Sequence, residues 1–351
     1  MIFVVCMRFF SIAGAGRVWA NGRRRVLEAG SLMCRVILVL WGALAIYWSN
    51  LPWGWMRVLT AVGFVVLGFV LLWRVRSVKG WRIFAGVFVG LLIWWASIRP
   101  THDRVWKIEQ GVLPRAVVEG DMVMLNGMRN FDYRTKSDFE VRYEERVVDL
   151  AKIKAVDFFI SYWKPGPVAH TFVSFVFEDE DTPPVCVSIE ARLENGEVYS
   201  ALASCFKQAE LIYVVGEERD IVGSRMGVRG EQVYRYRTRA TPEQARRLFV
   251  TYLESINELA DQPEFYHLLR NNCTVNIDRH ASRDGKGSPF DLRLLLNGYV
   301  DQFMYEKGVL DTSVPFEELR RRALIDDKVI SQETPADFSE RIRRELEGQG
   351  E

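Results

Sequence analysis

Apolar residues crowd the first third of the chain in long blocks. After it they recur at short periods. Three blocks, roughly residues 36–53, 58–73 and 83–98, have lengths near that of a membrane-spanning helix, the second and third at the short end. Beyond residue 100 the pattern is that of strands. Residues 120–126 form a short run after a turn, 129–134 a turn followed by an extended piece, and 156–163 an aromatic-rich strand closed by Lys164-Pro-Gly-Pro167. Residues 170–177 and 185–192 flank a charged, proline-containing turn, so they predict an antiparallel hairpin. In the second of them Val185, Val187 and Ile189 share one face, and Cys186, Ser188 and Glu190 the other. Residues 211–215 and 232–236 supply further strands. At Thr241-Pro242 the period becomes helical, with Thr as N-cap and Pro at the first helical position. Ala245, Leu248, Phe249, Tyr252, Leu253, Ile256, Leu259 and Ala260 make an apolar stripe whose plain reading is core packing, and Pro263 ends the helix. A second helix is predicted to start at Asn271-Asn-Cys273. Another follows near 315–323, and the charged residues from Thr334 are expected to be loosely held. The fold class is therefore α+β, an antiparallel sheet with packed helices, preceded by three transmembrane helices.

The boundaries of the apolar blocks carry Trp48, Trp53, Trp55, Trp94 and Trp95, as membrane interfaces do. A buried hairpin in a soluble core is the competing reading, but three such blocks in some sixty residues exceed what a small core absorbs. Arg8, Arg17 and Arg23-Arg-Arg25 precede the first block, and Arg74, Arg76, Lys79 and Arg82 lie between the second and third. Arg57 stands alone in the other loop. The basic sides are cytoplasmic by the positive-inside rule. Three spans that start inside end outside, so the remainder of the chain is expected in the periplasm, the protein being a multi-pass protein of a bacterial inner membrane. The apolar opening at 1–10 is too short to span and lacks a clean signal-peptide cleavage site. The first few dozen residues are also compatible with an upstream start codon.

The 351 residues suffice for two domains, and a formal net charge of +1 points to no nucleic acid partner. Three regions are expected: residues 1–100, a cytoplasmic segment with the spans; 101–290, an α+β thiol-site domain; and 291–351, a helical extension. Five cysteines show no CxxC spacing, and the four histidines do not cluster with them, so no metal and no cofactor is expected. Cys186 and Cys205 are candidates for a disulfide in an oxidising compartment, and separate thiols are the alternative.

Cys273 is the candidate nucleophile. Asn caps a helix start by accepting from its unpaired N–H groups, and the positive end of the helix dipole favours a thiolate there. Many inert helix starts look the same. Among the histidines, His280 is seven residues on, an axial separation of about 10 Å on one helix. His267 approaches only through the Asn271–Asn272 turn, and His102 lies beside the membrane. His170 opens a strand after a Gly-Pro turn and is the favoured base, against the plain reading of a structural strand histidine. Glu190, a carboxylate in an apolar strand next to that of His170, is the candidate orienting group. A salt bridge to Arg192 on the same face competes with that role.

The runs Arg129-Asn-Phe-Asp-Tyr-Arg134, Ala169-His-Thr-Phe-Val-Ser-Phe175, Ser188-Ile-Glu-Ala-Arg192, Glu210-Leu-Ile-Tyr-Val-Val215 and Phe265-Tyr-His-Leu-Leu-Arg-Asn-Asn-Cys-Thr274 resemble the Lnb N-terminal periplasmic domain family over roughly residues 101–285. The resemblance implies a permuted papain-like (NlpC-like) thiol site. In that site Cys273 accepts the acyl group, His170 acts as base and Glu190 orients it. It implies a lipoprotein N-acyltransferase-like activity, with a lipid or lipoprotein substrate. Named members of that type differ in the placement of their membrane spans. A cysteine amidase or peptidase acting on cell-wall or peptide substrates uses the same residues. A non-catalytic envelope binding domain is the reading from a different class. Acyl donor, acceptor and oligomeric state are not set by the sequence.

Overall fold

The computed structural model describes residues 17–75, 77–179, 181–282, 291–326 and 337–348. The apolar opening at 1–10 and Cys6 lie outside them. Two compact units divide the chain at Arg99/Pro100, with Phe206–Gln208 grouped with the first.

In the first unit α1 (Arg17–Tyr47), α2 (Gly54–Phe69, continued by a π-turn over Val70–Arg74) and α3 (Val78–Ser97) are helical. Three stretches, Arg25–Tyr47, Gly54–Arg74 and Val78–Ser97, are long and apolar enough to cross a membrane. The first lies about ten residues earlier than the predicted block, because the helix stops at Tyr47, ahead of Pro52, and extends back through basic residues. Leu72, Phe84 and Phe88 are buried between the helices, whereas Val62, Val66 and Ile93 face outward. Apolar residues on the outside are what a lipid environment permits.

The second unit is built on an eight-stranded sheet. Its strands are β1 (Arg115–Glu119), β2 (Met122–Arg129), β5 (Tyr143–Asp149), β6 (Ile153–Tyr162), β7 (His170–Phe177), β8 (Val185–Arg192), β9 (Glu210–Glu217) and β10 (Gln232–Arg237). A separate pair joins β3 (Asp132–Tyr133) to β4 (Phe139–Glu140). The order is β1-β2-β9-β8-β7-β6-β10, with β5 also on β2. The predicted hairpin forms, with Phe172 opposite Ser188 and Ser174 opposite Cys186 in antiparallel register. All pairings are antiparallel except one: β2 meets β9 in parallel at Arg129 and Gly216.

Both faces of the sheet are covered, and strand alternation sorts the side chains between them. On one face Ile160, Val173, Val187, Ile189 and Tyr213 pack under α5 (Pro242–Asp261) and α6 (Cys273–Ser282). Thr241 and Gln244 close a capping box at the start of α5, and the predicted stripe from Ala245 to Ala260 is its buried side. On the other face Phe159, Phe172, Cys186 and Ile212 pack against α4 (Glu218–Met226) and α9 (Phe338–Gly348). Helices α7 (Val300–Glu306) and α8 (Phe316–Ala323) complete the tail.

Two expectations are corrected. The end of the chain is not loosely held where it is described. Ile342 of α9 is fully buried, and Arg343 lies 3.0 Å from Asp157 Oδ2 and 2.7 Å from Glu218 Oε1. The charges that suggested a loose tail are the ones that dock it. Cys186 and Cys205 are both free thiols. Cys186 points from β8 into the apolar layer with Phe172 and Val222, while Cys205 ends a 3-10 turn at Ala203–Cys205.

Candidate functional site

Cys273 is the first residue of α6, as its sequence context predicts. Asn272 Oδ1 accepts from the Val275 backbone N–H at 2.8 Å, the N-cap bond. Asn271 Nδ2 donates to Glu264 Oε2 and to the Phe265 carbonyl, and Asn276 Nδ2 donates back to Asn271 Oδ1 at 3.0 Å. The two asparagines therefore tie the turn before the helix at both ends and fix where the cysteine enters it.

The Cys273 side chain is buried, at 2% exposure. Among the described residues, two polar side chains neighbour its sulfur: Thr274 Oγ1 at 3.8 Å and Asn297 Nδ2 at 3.6 Å. Thr274 Oγ1 in turn shares a 2.9 Å hydrogen bond with Thr171 Oγ1 of β7. Large apolar side chains are exposed close in sequence to these segments, Leu269 before the cysteine and Leu292 and Tyr299 on either side of Asn297, and on two further loops, at Trp163 and at Val198 and Leu202. Each further loop is tied to one of these segments. Leu268 N–H donates to the Ser204 carbonyl at 2.9 Å, and Gly298 N–H to the Pro167 carbonyl at 3.0 Å. The rings of Tyr199 and Tyr266 lie edge to face, 6.4 Å apart.

His170 and Glu190 are brought together as expected, through a third residue. His170 Nε2 lies 2.7 Å from Ser188 Oγ, Ser188 Oγ donates to Glu190 Oε1 at 2.8 Å, and His170 Nε2 is 3.9 Å from that carboxylate. Since the single Ser188 proton goes to Glu190, the imidazole donates from Nε2 and keeps its lone pair on Nδ1. The cation on Glu190 is Arg225 of α4, at 2.6 Å, and not Arg192, the competing partner that the sequence offered. Arg192 donates to the carbonyls of Gln110 and Gly111. Gln110 Nε2 holds the other Glu190 oxygen at 3.2 Å. Burial and then the Arg225 guanidinium push the His170 ring down to about 3, against the pull of Glu190, so it is neutral at physiological pH. Burial pushes the Glu190 carboxyl up, and Arg225, His170 and Arg129 more than reverse this, holding it well below the usual carboxylate range.

Cys273 does not join this pair. Thr171 turns toward α6, where it meets Thr274. Its neighbour His170 leaves the strand on the opposite face, where its ring stacks on Phe172, 5.7 Å away, beside Arg225. The alternation that makes the hairpin legible is thus what separates the base from the thiol. The remaining histidines are engaged elsewhere. His280 Nε2 bonds the Tyr213 hydroxyl at 2.8 Å, His267 Nδ1 accepts from the Leu269 N–H, and His102 Nε2 is 2.8 Å from the Leu259 carbonyl. Among the described residues no group of three metal-ligating side chains forms.

Arg225 and Asn297 were not among the predicted site residues. Arg225 lies on a short helix whose charges are buried, a pattern that reads as loop. Asn297 had no signal beyond being an asparagine before a glycine.

Residues 139–298 match the family model described as the Lnb N-terminal periplasmic domain. The match covers His170, Glu190, Cys273 and Asn297, and it begins after the three apolar helices. No curated protein and no solved structure matches the chain.

Proposed function

We propose that this chain, whose residues 139–298 belong to the Lnb N-terminal periplasmic domain family, is a membrane-anchored envelope acyltransferase that carries the acyl group on Cys273. The observation that carries this reading is a thiol at a helix start whose neighbouring and tied loops expose large apolar side chains. Trp163, Val198, Leu202, Leu269, Leu292 and Tyr299 suit an alkyl chain and would be a poor lining for a peptide or glycan groove. That preference sets the acyl-transfer reading above the amidase or peptidase alternative.

The chemistry balances as two transfers. The sulfur attacks the carbonyl of a lipid ester. The C–S bond forms, the C–O bond breaks, and the thiol proton leaves on the alcohol. An amine, such as a lipoprotein N-terminus, then attacks the thioester, an amide forms, and the thiol is regenerated. Backbone N–H groups in the first turn of α6 suit the oxyanion of each step. His170 and Glu190, closed off with Ser188 and Arg225 on the far face, hold the start of β7 in this reading. The soluble domain faces the periplasm, where the basic loops of the spans direct it.

A second reading has one observation in its favour. Cys273 is buried, and no histidine or carboxylate meets its sulfur among the described residues, as befits a core thiol in a non-catalytic envelope domain. Intact-mass spectrometry of the full chain, incubated in micelles with phospholipid and an amine-bearing lipopeptide, separates the two. The acyl reading expects a hydroxylamine-labile fatty-acyl adduct on wild type that is missing from Cys273→Ser. An unmodified wild-type chain with no acylated lipopeptide supports the core-thiol reading instead.

A further inference from the structure

Asn297 stands at the start of a 3-10 turn (Asn297–Tyr299) and is 6% exposed. Its amide is held at both ends. The Ala169 backbone N–H donates to Oδ1 at 2.8 Å, which fixes which end is oxygen, so Nδ2 is the end turned to the Cys273 sulfur at 3.6 Å. The turn that carries it is pressed against the loop before β7. The Tyr162 hydroxyl donates to the Gly298 carbonyl at 2.6 Å, and Gly298 N–H donates to the Pro167 carbonyl. A Cβ on Gly298 would lie 2.4 Å from the Gly166 carbonyl oxygen, so only glycine permits this approach. Four backbone and side-chain contacts thus converge to aim one N–H at one sulfur.

We infer that Asn297 is the side-chain donor of the thiol site: its Nδ2–H stabilises the Cys273 thiolate and, once sulfur has attacked an acyl carbonyl, donates to the oxyanion. The inference rests on Cys273 being the acyl acceptor, and it adds a residue that neither strand histidine nor helix start supplies. A hydrogen bond to the charged form of a thiol favours that form. The carbonyl oxygen of a thioester adduct lies close to sulfur, and a small rotation about the Asn297 side chain brings Nδ2 to the donor distance of about 2.7–3.1 Å that oxyanion stabilisation uses. A buried amide with no such task would more economically turn both ends to backbone groups.

The test is the rate at which iodoacetamide alkylates Cys273 in the full chain in micelles. It is read on the Cys273 peptide, since Cys186 and Cys205 are also free. Asn297→Asp is the deciding variant. It keeps an oxygen for the Ala169 N–H, and so preserves the loop contact, but replaces the donor by a carboxylate. Alkylation at pH 7 is expected to slow at least tenfold in Asn297→Asp and about tenfold in Asn297→Ala, the size of a lost charge-assisted hydrogen bond. A purely structural role predicts unchanged or faster alkylation, because a loosened loop exposes the sulfur. Wild-type rates in Asn297→Asp overturn the inference. The readout does not depend on turnover. Slowed alkylation in a chain that never carries an acyl group leaves the donor standing and removes the acyl-transfer reading. An acylated wild type with an unslowed Asn297→Asp does the reverse.

Discussion

Arg129→Ala is expected to lower the melting temperature of the sheet domain by roughly 10 °C, measured by circular dichroism on the full chain in micelles. Arg129 is 3% exposed and lies at the end of β2, where it donates from Nε to both Asp220 oxygens at 3.0 Å and from Nη2 to Oδ1 at 2.7 Å. Asp220 is fully buried on α4 and also accepts from the Phe131 N–H at 2.7 Å. Removing the guanidinium leaves a carboxylate out of reach of water with one donor. Breaking a buried pair from one side costs about 3–5 kcal/mol, most of it the stranded charge. The same reasoning gives a control. Arg129→Met with Asp220→Leu removes both charges and is expected to recover most of the loss, because apolar replacement of a whole buried pair is often neutral. A drop below about 3 °C in the single variant, or a double variant worse than the single, would contradict this account.

The stability of the domain is expected to be nearly flat between pH 4.5 and 6.5, because two buried groups oppose each other there. Burial and Arg225 lower His170 from 6.5 to about 3. Within that interval the unfolded chain takes up a proton that the folded chain refuses, so His170 costs stability as pH falls through it, by at most about 1.4 kcal/mol per unit. His102 and His267 are lowered by burial too and act in the same sense, more weakly since both are partly exposed. Glu210 runs the other way. Burial raises it from 4.5 to about 7, although Arg104, 3.3 Å away, pulls it down. Here the folded chain binds the proton first, so stability rises as pH falls from 7 toward 4.5. Burial also raises Asp301, which adds to that side.

Removing one member exposes the other. Glu210→Gln should leave a domain that loses melting temperature as pH falls from 6.5 to 4.5. His170→Asn should leave one that gains it from 7 to 4.5. The comparison is between slopes, so any fixed cost of either substitution drops out. Parallel slopes in the two variants would show that these groups do not titrate as their burial requires. Below pH 4.5 Glu190 and Asp157 take over. Arginines more than reverse the burial of both carboxyls, and protonating either one breaks its buried pairs.

What could be read in advance follows the range of the interactions involved. The three apolar helices were legible because lipid asks the same thing of every residue in a span. The hairpin of β7 and β8 and the stripe of α5 were legible because one face of each element is uniformly apolar, and the start of α6 because its cap is made by the residue just before the cysteine. Helix α4 was not legible. Glu218, Asp220 and Arg225 read as a solvated turn, and they are buried only because Arg343, Arg129 and Glu190 come to them from distant parts of the chain. The charged tail failed for the same reason.

Residue order alone thus determined that His170 and Thr171 leave their strand on opposite faces, that Glu190 shares a face with Ser188, and that Cys273 begins a helix. Which face that helix covers was decided in three dimensions. The Thr171–Thr274 contact and the apolar layer under α5 and α6 put the thiol on the side away from His170. Asn297, 24 residues further along, came to the sulfur only because Gly298 lets its turn close against the loop before β7. Periodicity is a local property of the backbone and survives in any fold. The choice of face, and of partner, belongs to packing between segments that the order of residues does not place side by side.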